Sequence, residues 1–328
     1  MVVGAGQQAI GLMQQKGVRA AFELLSEKVS AGDPEAAFAL AQWRLTGDII
    51  RRDLVEARRL FGLAAQCGLR EAQGPYIALL ANGAGGTGCR EWRAALRSLR
   101  ASADAEESER QLALIEAMDV DDQGNPRMTW KSERVSVAPQ IWKLAHFLSP
   151  EECSYLCSLA MPRLQPSVVI HPATGEFIRD PVRKSSTTSF PFIDENPVIH
   201  AINRRIAAAT GTSYNQGEPT QIISYDVDEE YRLHSDVIPS SDNQRDLTFL
   251  IYLNTHYEGG ETYFPSSGWA YKGKLGEAVF FKNVDERGAP CPLAAHAGCK
   301  IISGRKMILS KWIRRQALDI RGPSGKPF

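Results

Sequence analysis

Two histidines and one aspartate have the types and the spacing to hold a single metal ion. His234-Ser-Asp236 lies in YRLHSDV, a run with strand character, and residues two apart on a strand project from the same face. His296, further along the chain in AAHAG, offers a third ligand. Two neutral imidazoles and one carboxylate leave half of an octahedron open, as in the non-haem Fe(II) sites that admit a keto acid and dioxygen. The three residues therefore form a candidate iron centre, and the alternative is an exposed strand whose His and Asp hold no metal.

A lysine beyond the third ligand suggests what the open positions would receive. Strand alternation in KMILSKWIRR puts Lys306 on the same face as Ile308 and Trp312, so we expect its ammonium to be partly buried and to need an anion. A dicarboxylate cosubstrate that chelates the metal through its keto end supplies that anion. The alternative is an edge-strand lysine whose only effect is to prevent strand pairing.

The elements that must position these residues begin near Met128. From there, short Val, Ile, Tyr and Phe runs alternate with Gly, Pro and Asn, and all six histidines lie in this part. Two helices are predicted first, one capped by Ser149 with Pro150 at its first position, the other ended by Gly211. Six strand-like runs follow without intervening helices, which favours a β-sandwich or barrel over a doubly wound sheet. These runs are PTQIISYD, YRLHSDV, DLTFLIYLN, EAVFFKN, AGCKII and KMILSKWIRR.

The first 120 residues have the composition of helices, rich in alanine and without histidine. A set of small residues recurs 36 positions later, as Gly32, Ala36 and Gly47 followed by Gly68, Ala72 and Gly83. A repeat of this length is typical of stacked helix pairs. The text over residues 32–103 resembles about two copies of the Sel-one-like branch of the tetratricopeptide superfamily, which implies a surface for a partner protein. We expect an all-α helical repeat domain, a solenoid, at residues 1–125 and a second domain at 126–328.

Residues 146 to 315 resemble the catalytic domain of the prolyl 4-hydroxylase branch of the 2-oxoglutarate and Fe(II)-dependent dioxygenases. The matching text is HFLSPEECSYL, EPTQIISYDVDEEYRLHSD, RDLTFLIYLNTHYEGGETYFP, GEAVFFKNVDE and AAHAGCKIISGRKMILSKWIR. The resemblance implies a double-stranded β-helix (jelly roll) with flanking helices, in which His234, Asp236 and His296 hold iron. It also implies that Lys306 pairs with the distal carboxylate of 2-oxoglutarate, with Tyr225 and Thr262 lining that pocket.

The same resemblance implies a reaction and a set of substrate contacts. The expected reaction hydroxylates a side-chain carbon, with proline in a protein or peptide as the target, and converts 2-oxoglutarate and O2 into succinate and CO2. Fe(II) is the expected metal and ascorbate a candidate reductant. Substrate-binding positions of the family fall on Arg183, Ser185, Glu218, Tyr231, Arg245 and Trp312.

Three features depart from the family pattern and leave the substrate open. Ser224 stands where an arginine before Tyr225 is usual, Met307 replaces the common tryptophan after the lysine, and the loop between Asp236 and Arg245 is short. Two other functions therefore stay open: the same chemistry on a free amino acid, nucleobase or small metabolite, and a non-catalytic scaffold built on the helical repeats.

Two further motifs compete with this interpretation. Gly83 to Gly88 matches GxGxxG, but its flanks continue a helical repeat rather than a βαβ unit, so we expect no dinucleotide there. His256, in NTHYEGG, lies in a predicted turn and is expected to be a surface histidine rather than a ligand.

Composition limits the partners and the compartment. The 328 residues carry 38 basic and 38 acidic side chains, so no overall field would attract nucleic acid or an anionic membrane. No apolar run approaches the roughly 20 residues that span a bilayer, and the start lacks the pattern of a secretory signal. We expect a cytoplasmic protein whose six cysteines are thiols, with a protein or peptide substrate and neither membrane nor nucleic acid as partners.

Overall fold

The computed structural model describes residues 4–86, 89–170, 177–179 and 182–319. These residues form two compact units. The helical unit comprises the described residues of Met1–Arg127, Phe192–Arg204 and Asp319–Phe328, and the β unit those of Met128–Pro191 and Arg205–Leu318. The helices of both units, within the described residues, are too short or too polar to cross a membrane.

The helical unit is built from consecutive helices that pack against their neighbours in the chain. They are α1 (Ala5–Lys16), α2 (Val18–Ser30), α3 (Pro34–Thr46), α4 (Leu54–Gln66), α5 (Arg70–Asn82), α6 (Trp92–Arg100) and α7 (Ala105–Ala117).

The 36-residue recurrence seen in the sequence corresponds to a recurrence of helix pairs. Both helices of the pair α2–α3 have counterparts of equal length in α4–α5, displaced by the same 36 positions. Gly47 and Gly83 end α3 and α5 with φ of 73° and 80°, a left-handed conformation that glycine adopts without steric cost. Ala36 and Ala72 are completely buried, so adjacent helices can approach closely at both positions.

The β unit contains α8 (Pro150–Ala160), the second half of α9 (Pro197–Thr210) and a series of strands. The strands are β1 (Glu133–Ser136), β2 (Ile141–Leu144), β3 (Gln165–Pro166), β4 (Val168–Ile170), β5 (Phe177–Arg179), β6 (Ser186–Phe190), β7 (Thr220–Tyr225), β8 (Tyr231–His234), β9 (Arg245–Tyr252), β10 (Tyr257–Gly259), β11 (Thr262–Phe264), β12 (Trp269–Tyr271), β13 (Ala278–Lys282), β14 (His296–Gly298), β15 (Ile301–Gly304) and β16 (Lys306–Arg314).

Antiparallel pairing arranges these strands into one large sheet and several small ones. The large sheet has the order β1-β2-β13-β9-β16-β7-β6-β3, and a four-stranded sheet has the order β12-β11-β14-β8. Strands β10 and β15 form a separate pair, as do β4 and β5. A buried apolar core joins side chains of the large sheet, such as Leu250 and Phe281, to Phe264 of the four-stranded sheet and Ile301 of the β10–β15 pair. The β unit is therefore a two-layered, β-rich fold.

The predicted elements are found with one correction. Helix α8 begins with Ser149 and Glu152 in a reciprocal capping box, and α9 ends just before Gly211. The six predicted strand runs appear as β7, β8, β9, β13, β14 with β15, and β16. The run AGCKII was wrong as a single strand, because the chain turns after Gly298 and its two halves pair with different partners, β14 with β8 and β15 with β10.

A buried ion pair fixes α9 to the start of α8. Arg205 donates two hydrogen bonds to the Glu152 carboxylate, at 2.6 and 2.7 Å, and a third to the Phe147 carbonyl at 2.9 Å. Glu152 also accepts from the Ser149 backbone N–H at 2.8 Å. Both charged groups are almost completely buried, so each depends on the other for compensation.

Replacing Glu152 with alanine should destabilise the chain by about 3 to 5 kcal/mol, because it leaves the Arg205 guanidinium buried and unpaired and removes half of the capping box. Urea unfolding followed by circular dichroism measures the change. Glu151→Ala is the matched control, since Glu151 precedes it on α8 and is exposed. Equal losses in the two variants would contradict the assignment.

Candidate active site

The antiparallel pairing of β8 with β14 brings the three predicted ligands together. His234 and His296 are direct cross-strand partners, and their ring centroids lie 4.3 Å apart. Asp236 follows the end of β8, with its Oδ1 3.6 Å from Nε2 of His234 and its Oδ2 3.8 Å from Nε2 of His296. One ligand atom from each residue lies within 4.8 Å of the others.

Backbone carbonyls fix which nitrogen of each histidine faces this cluster. Nδ1 of His234 donates to the Arg232 carbonyl at 2.8 Å, and Nδ1 of His296 donates to the Ala294 carbonyl at 3.1 Å. A carbonyl only accepts, so Nδ1 carries the proton and Nε2 keeps its lone pair for a cation.

The electrostatics of the cluster favour the metal-binding protonation states. Burial lowers the pKa of His296 to about 4, despite the opposing effect of Asp236. Burial by itself would raise the pKa of Asp236, but hydrogen bonding and the charges of both histidines outweigh it and lower that pKa well below its usual value. At neutral pH His296 is therefore neutral and Asp236 ionised, as metal binding requires.

The donor set fits a divalent iron ion. It offers two imidazole nitrogens and one carboxylate oxygen on converging side chains, which suits Fe(II) and leaves positions for exogenous ligands. Within the described residues, this is the cluster of His, Cys, Asp and Glu whose geometry could hold a metal.

Lys306 is a buried cation on the wall of the same cavity. Its Nζ donates to the Gly260 carbonyl at 2.6 Å and lies 5.6 Å from the ring centroids of both Tyr225 and Tyr252. Gly260 has a φ of 71°, and a Cβ there would lie 3.2 Å from the Lys306 side chain, so glycine permits this contact. Burial lowers the pKa of Lys306 to about 8, and no described carboxylate lies within salt-bridge distance of its Nζ. The ammonium is thus suited to receive an anionic ligand.

A single cavity is bordered by most of the residues predicted from the sequence. Its wall contains Tyr225, Tyr231, His234, Asp236, Thr262, His296, Lys306 and Trp312. The Thr262 hydroxyl contacts the Tyr252 hydroxyl at 2.9 Å. Tyr231 stacks on His234, with ring centroids 3.4 Å apart and planes inclined by 9°.

The other residues predicted to contact substrate lie outside this lining. Arg245 forms a two-pronged ion pair with Glu218, at 2.7 and 2.8 Å, and its guanidinium lies 3.7 Å from the Trp312 ring centroid. The guanidinium of Arg183 lies 5.5 Å from the ring centroid of Tyr231.

Ser185 also lies outside this lining and contacts a neighbouring serine. Its hydroxyl is buried and contacts the Ser167 hydroxyl at 2.7 Å. The geometry therefore gives Ser185 a local structural contact rather than a place on the cavity wall.

The two residues that depart from the family pattern are neighbours across the sheet. Ser224 and Met307 are cross-strand partners on β7 and β16, one position along from the pair formed by Tyr225 and Lys306. Adjacent strand residues point to opposite faces, so the two departures lie together on the side away from the cavity. The short loop after Asp236 is closed by the Gln244 side chain, which exchanges hydrogen bonds with both backbone groups of Ile238.

The described residues of the two competing motifs have other structural contexts. His256 is exposed between β9 and β10 and lies outside the cluster suited to a metal. Gly83 ends helix α5 rather than following a strand, and residues 87 and 88 of the GxGxxG match lie outside the described residues.

The sequence analysis missed the hydrogen-bond partners of Asp236. The Thr248 hydroxyl donates to Oδ2 of Asp236 at 2.6 Å and accepts from the Asn283 side-chain amide at 2.8 Å. A signal was present, because Thr248 is a polar residue on the cavity-facing side of the otherwise apolar DLTFLIYLN run.

Comparison with known proteins agrees with this geometry. The family model of the 2OG-Fe(II) oxygenase superfamily matches residues 220–314. Prolyl 4-hydroxylase 1 of Arabidopsis thaliana is 37% identical over 206 residues, which cover 57% of this chain and 73% of the relative. Prolyl 4-hydroxylase 2 of the same plant is 31% identical over 215 residues, 58% of this chain and 72% of the relative. A solved viral collagen prolyl hydroxylase from Paramecium Bursaria Chlorella virus-1 is 28% identical, with a TM-score of 0.43, and the match covers 53% of this chain and 95% of that one.

The fold, the triad and the family match define this protein as a 2-oxoglutarate and Fe(II)-dependent dioxygenase, a class that uses Fe(II), 2-oxoglutarate and O2. The resemblance of residues 146 to 315 to this class is confirmed. Within that class, the chain belongs to the prolyl 4-hydroxylase family.

Lys306→Met should stabilise the metal-free chain at pH 7. A fall in pKa from 10.5 to about 8 corresponds to a cost of about 3 kcal/mol for keeping the charged form in the folded state. Wild-type stability therefore decreases as the pH falls from 10.5 to about 8 and is constant below, whereas methionine does not titrate. Urea unfolding at pH 7 and 10.5 measures the difference in unfolding free energy between the wild type and the variant. This difference should be larger at pH 7. If the variant were less stable than the wild type at pH 7, the claim that the buried Lys306 ammonium destabilises the fold would be wrong.

Proposed function

We propose that this chain hydroxylates a proline side chain in a protein or peptide. The observation that carries the proposal is the convergence of three potential iron ligands and one buried ammonium on the wall of one cavity. The related proteins are named prolyl 4-hydroxylases, which supports proline as the target. A free amino acid, a nucleobase or a metabolite is the competing target.

Each cavity residue receives a role from its chemistry. His234, Asp236 and His296 would hold the iron, which when bound supplies activation of dioxygen for hydroxylation. Lys306 would bind the distal carboxylate of 2-oxoglutarate through a charge-assisted hydrogen bond. Tyr225 is the cross-strand partner of Lys306 and Thr262 also borders the cavity, so their hydroxyl groups would orient the same carboxylate.

The substrate would enter beside two aromatic side chains. Tyr231 and Trp312 border the cavity and offer flat apolar surfaces to a proline ring. Arg245, paired with Glu218, supports Trp312 from outside, and Arg183 supports Tyr231. Arg183, Ser185, Glu218 and Arg245 would then act mainly through the shape of the substrate site.

Ascorbate is the proposed reductant of this reaction. Ascorbate would restore iron that becomes oxidised in turnovers without substrate, and omitting it should shorten the active lifetime of the enzyme.

All six cysteines are unpaired in the structure, which fits a reducing compartment such as the cytoplasm.

The chain should add one oxygen atom to a proline-containing peptide when Fe(II), 2-oxoglutarate, O2 and ascorbate are supplied. His234→Ala should abolish both this mass increase and succinate release, because it removes an iron ligand. His256→Ala is the matched control and should retain full activity, since His256 is exposed and lies outside the cluster. Mass spectrometry of the peptide and a succinate assay measure the two products. Oxygen addition to a free amino acid or nucleobase, with none on proline peptides, would select the competing target.

We also propose that the helical unit is a Sel-one-like solenoid that binds a positively charged segment of a partner protein. The equal spacing of the pairs α2–α3 and α4–α5 supports the repeat. A cavity bordered by α5, α6 and α7 supports the binding surface, since its lining includes Asp104, Glu106 and Glu107 against one cation, Arg70. The Gln111 side chain in this lining is buried, and its carbonyl oxygen has no hydrogen-bond partner among the described residues. Lysine or arginine donors would satisfy this oxygen and complement the negative charge of the lining.

Glu106→Lys in the full-length chain should weaken the binding of a fluorescent lysine-rich peptide, because it reverses one charge at the cavity. Fluorescence anisotropy at low salt measures the affinity. Glu23→Lys, which makes the same charge change on α2 away from this lining, is the control. Equal binding by both variants and the wild type would rule out this cavity as the surface.

A further inference from the structure

We propose that Thr248 and Asn283 are positioning residues that hold Asp236 in a single orientation toward the iron. The inference rests on the iron site proposed above and concerns two residues that lie behind one of its proposed ligands. Both lie in the β unit, Thr248 within β9 and Asn283 directly after β13.

The three side chains form a continuous buried chain of hydrogen bonds. The Asn283 amide donates to the Thr248 hydroxyl at 2.8 Å, and this hydroxyl donates to Oδ2 of Asp236 at 2.6 Å. Asn283 and Thr248 are each 1% exposed and Asp236 is 4% exposed. Both hydrogen bonds are therefore shielded from bulk solvent.

The chemistry of the Asn283 amide fixes the direction of these hydrogen bonds. The Asn283 amide nitrogen can only donate, so it engages a lone pair of the Thr248 oxygen and directs the Thr248 proton toward the carboxylate. Without Asn283, this lone pair would lose its donor and the hydroxyl would be held from one side only. Asn283 thus sets the direction in which Thr248 donates, and Thr248 passes that constraint to Asp236.

The Asn283 amide is oriented in a way that leaves its carbonyl oxygen without a hydrogen bond from the described residues. A positioning role for Asn283 would explain why this unfavourable orientation is present. Its carbonyl oxygen is buried and has no hydrogen-bond partner among the described residues, which is unfavourable in a protein interior. A valine or leucine at this position would remove that unpaired oxygen. The polar side chain is therefore better explained by the donor it supplies to Thr248 than by packing alone.

The backbone of Asn283 connects the same network to the second histidine. Its N–H donates to the Asp246 carbonyl at 2.8 Å, and its carbonyl accepts from the Cys291 N–H at 2.9 Å. Cys291 precedes the short helical turn Pro292–Ala294, and the Ala294 carbonyl accepts the Nδ1 proton of His296. One residue thus orients Asp236 with its side chain and closes, with its backbone, the loop that leads to His296.

This arrangement leaves the two oxygens of Asp236 unequal. Oδ2 accepts the Thr248 hydrogen bond and lies 3.8 Å from Nε2 of His296, whereas Oδ1 lies 3.6 Å from Nε2 of His234. Oδ1 is therefore the freer of the two oxygens to bind a cation. A carboxylate that binds through one oxygen keeps more positions open for cosubstrates than one that binds through two. The network would therefore preserve both the affinity for the metal and the number of open positions.

Thr248→Val is the direct test, because valine keeps the shape and removes the hydroxyl. We expect its affinity for Co(II), used as a redox-stable probe, to fall at least about tenfold, as is typical when an outer partner of a metal ligand is lost. We also expect its visible Co(II) spectrum to change in intensity. Thr248→Ser restores the hydroxyl and should return both properties close to wild type. Thr188→Val, at a buried threonine of β6 outside the cavity lining, should change neither.

The role of Asn283 is tested by combining substitutions. Asn283→Ala should weaken Co(II) binding in the wild-type background and add little to Thr248→Val, because it acts through Thr248. Melting temperatures of the metal-free variants separate this effect from loss of folding. Wild-type Co(II) affinity and spectrum in folded Thr248→Val would overturn the positioning role. Failure of the wild-type chain itself to bind Co(II) in a His234-dependent manner would instead refute the proposed iron site.

Discussion

The pairing register of β8 with β14 is the constraint on which the rest of the site depends. His234 and His296 face each other only in this register, and a slip by one residue would turn one imidazole away from the cavity. The register is irregular between His296 and Gly298, whose partners His234 and Tyr231 are three residues apart rather than two. This bulge lets Tyr231 and His234 face the same cavity and stack, although strict alternation would separate them. It also leaves the Arg232 carbonyl in reach of Nδ1 of His234.

The second constraint is the burial of a cation beside a cluster that already contains one anion. Lys306 is held by a carbonyl and two aromatic rings, which compensate its charge less fully than a carboxylate would. The large sheet can support such a side chain because β16 lies between β7 and β9, so both of its edges are paired. The changes at Ser224 and Met307 concern the opposite face of the same strands. The packing behind the sheet can therefore vary without altering the anion site.

The sequence predicted those parts of the fold that have long or strongly patterned elements. Helix α8 has a capping box and a proline at its first position. Strands β9 and β16 are eight and nine residues long, and most of their residues are apolar. The short strands β10, β11 and β12 have three residues each, too few to show alternation, and they exist because neighbouring strands supply their hydrogen bonds. The three ligands and Lys306 were accessible from spacing and parity. The pairing of Arg245 with Glu218 was not, because it joins the first residue of β9 to a residue just before β7, and only the folded sheet defines the distance between them.

The hydrogen bonds behind Asp236 mark the limit of what residue patterns reveal. Thr248 interrupts an apolar strand, and parity alone places it inside the fold, so its polarity called for a partner. The identity of that partner depends on the path of the chain after β8, which brings Asp236 back over β9. Asn283 is less visible still, since an asparagine after a strand is an ordinary turn residue. Its burial follows from closure of the loop between Asn283 and Cys291, a tertiary event. Residues that could bind a metal are thus readable from sequence, whereas residues that orient those candidate ligands become recognisable only when separate strands are placed side by side.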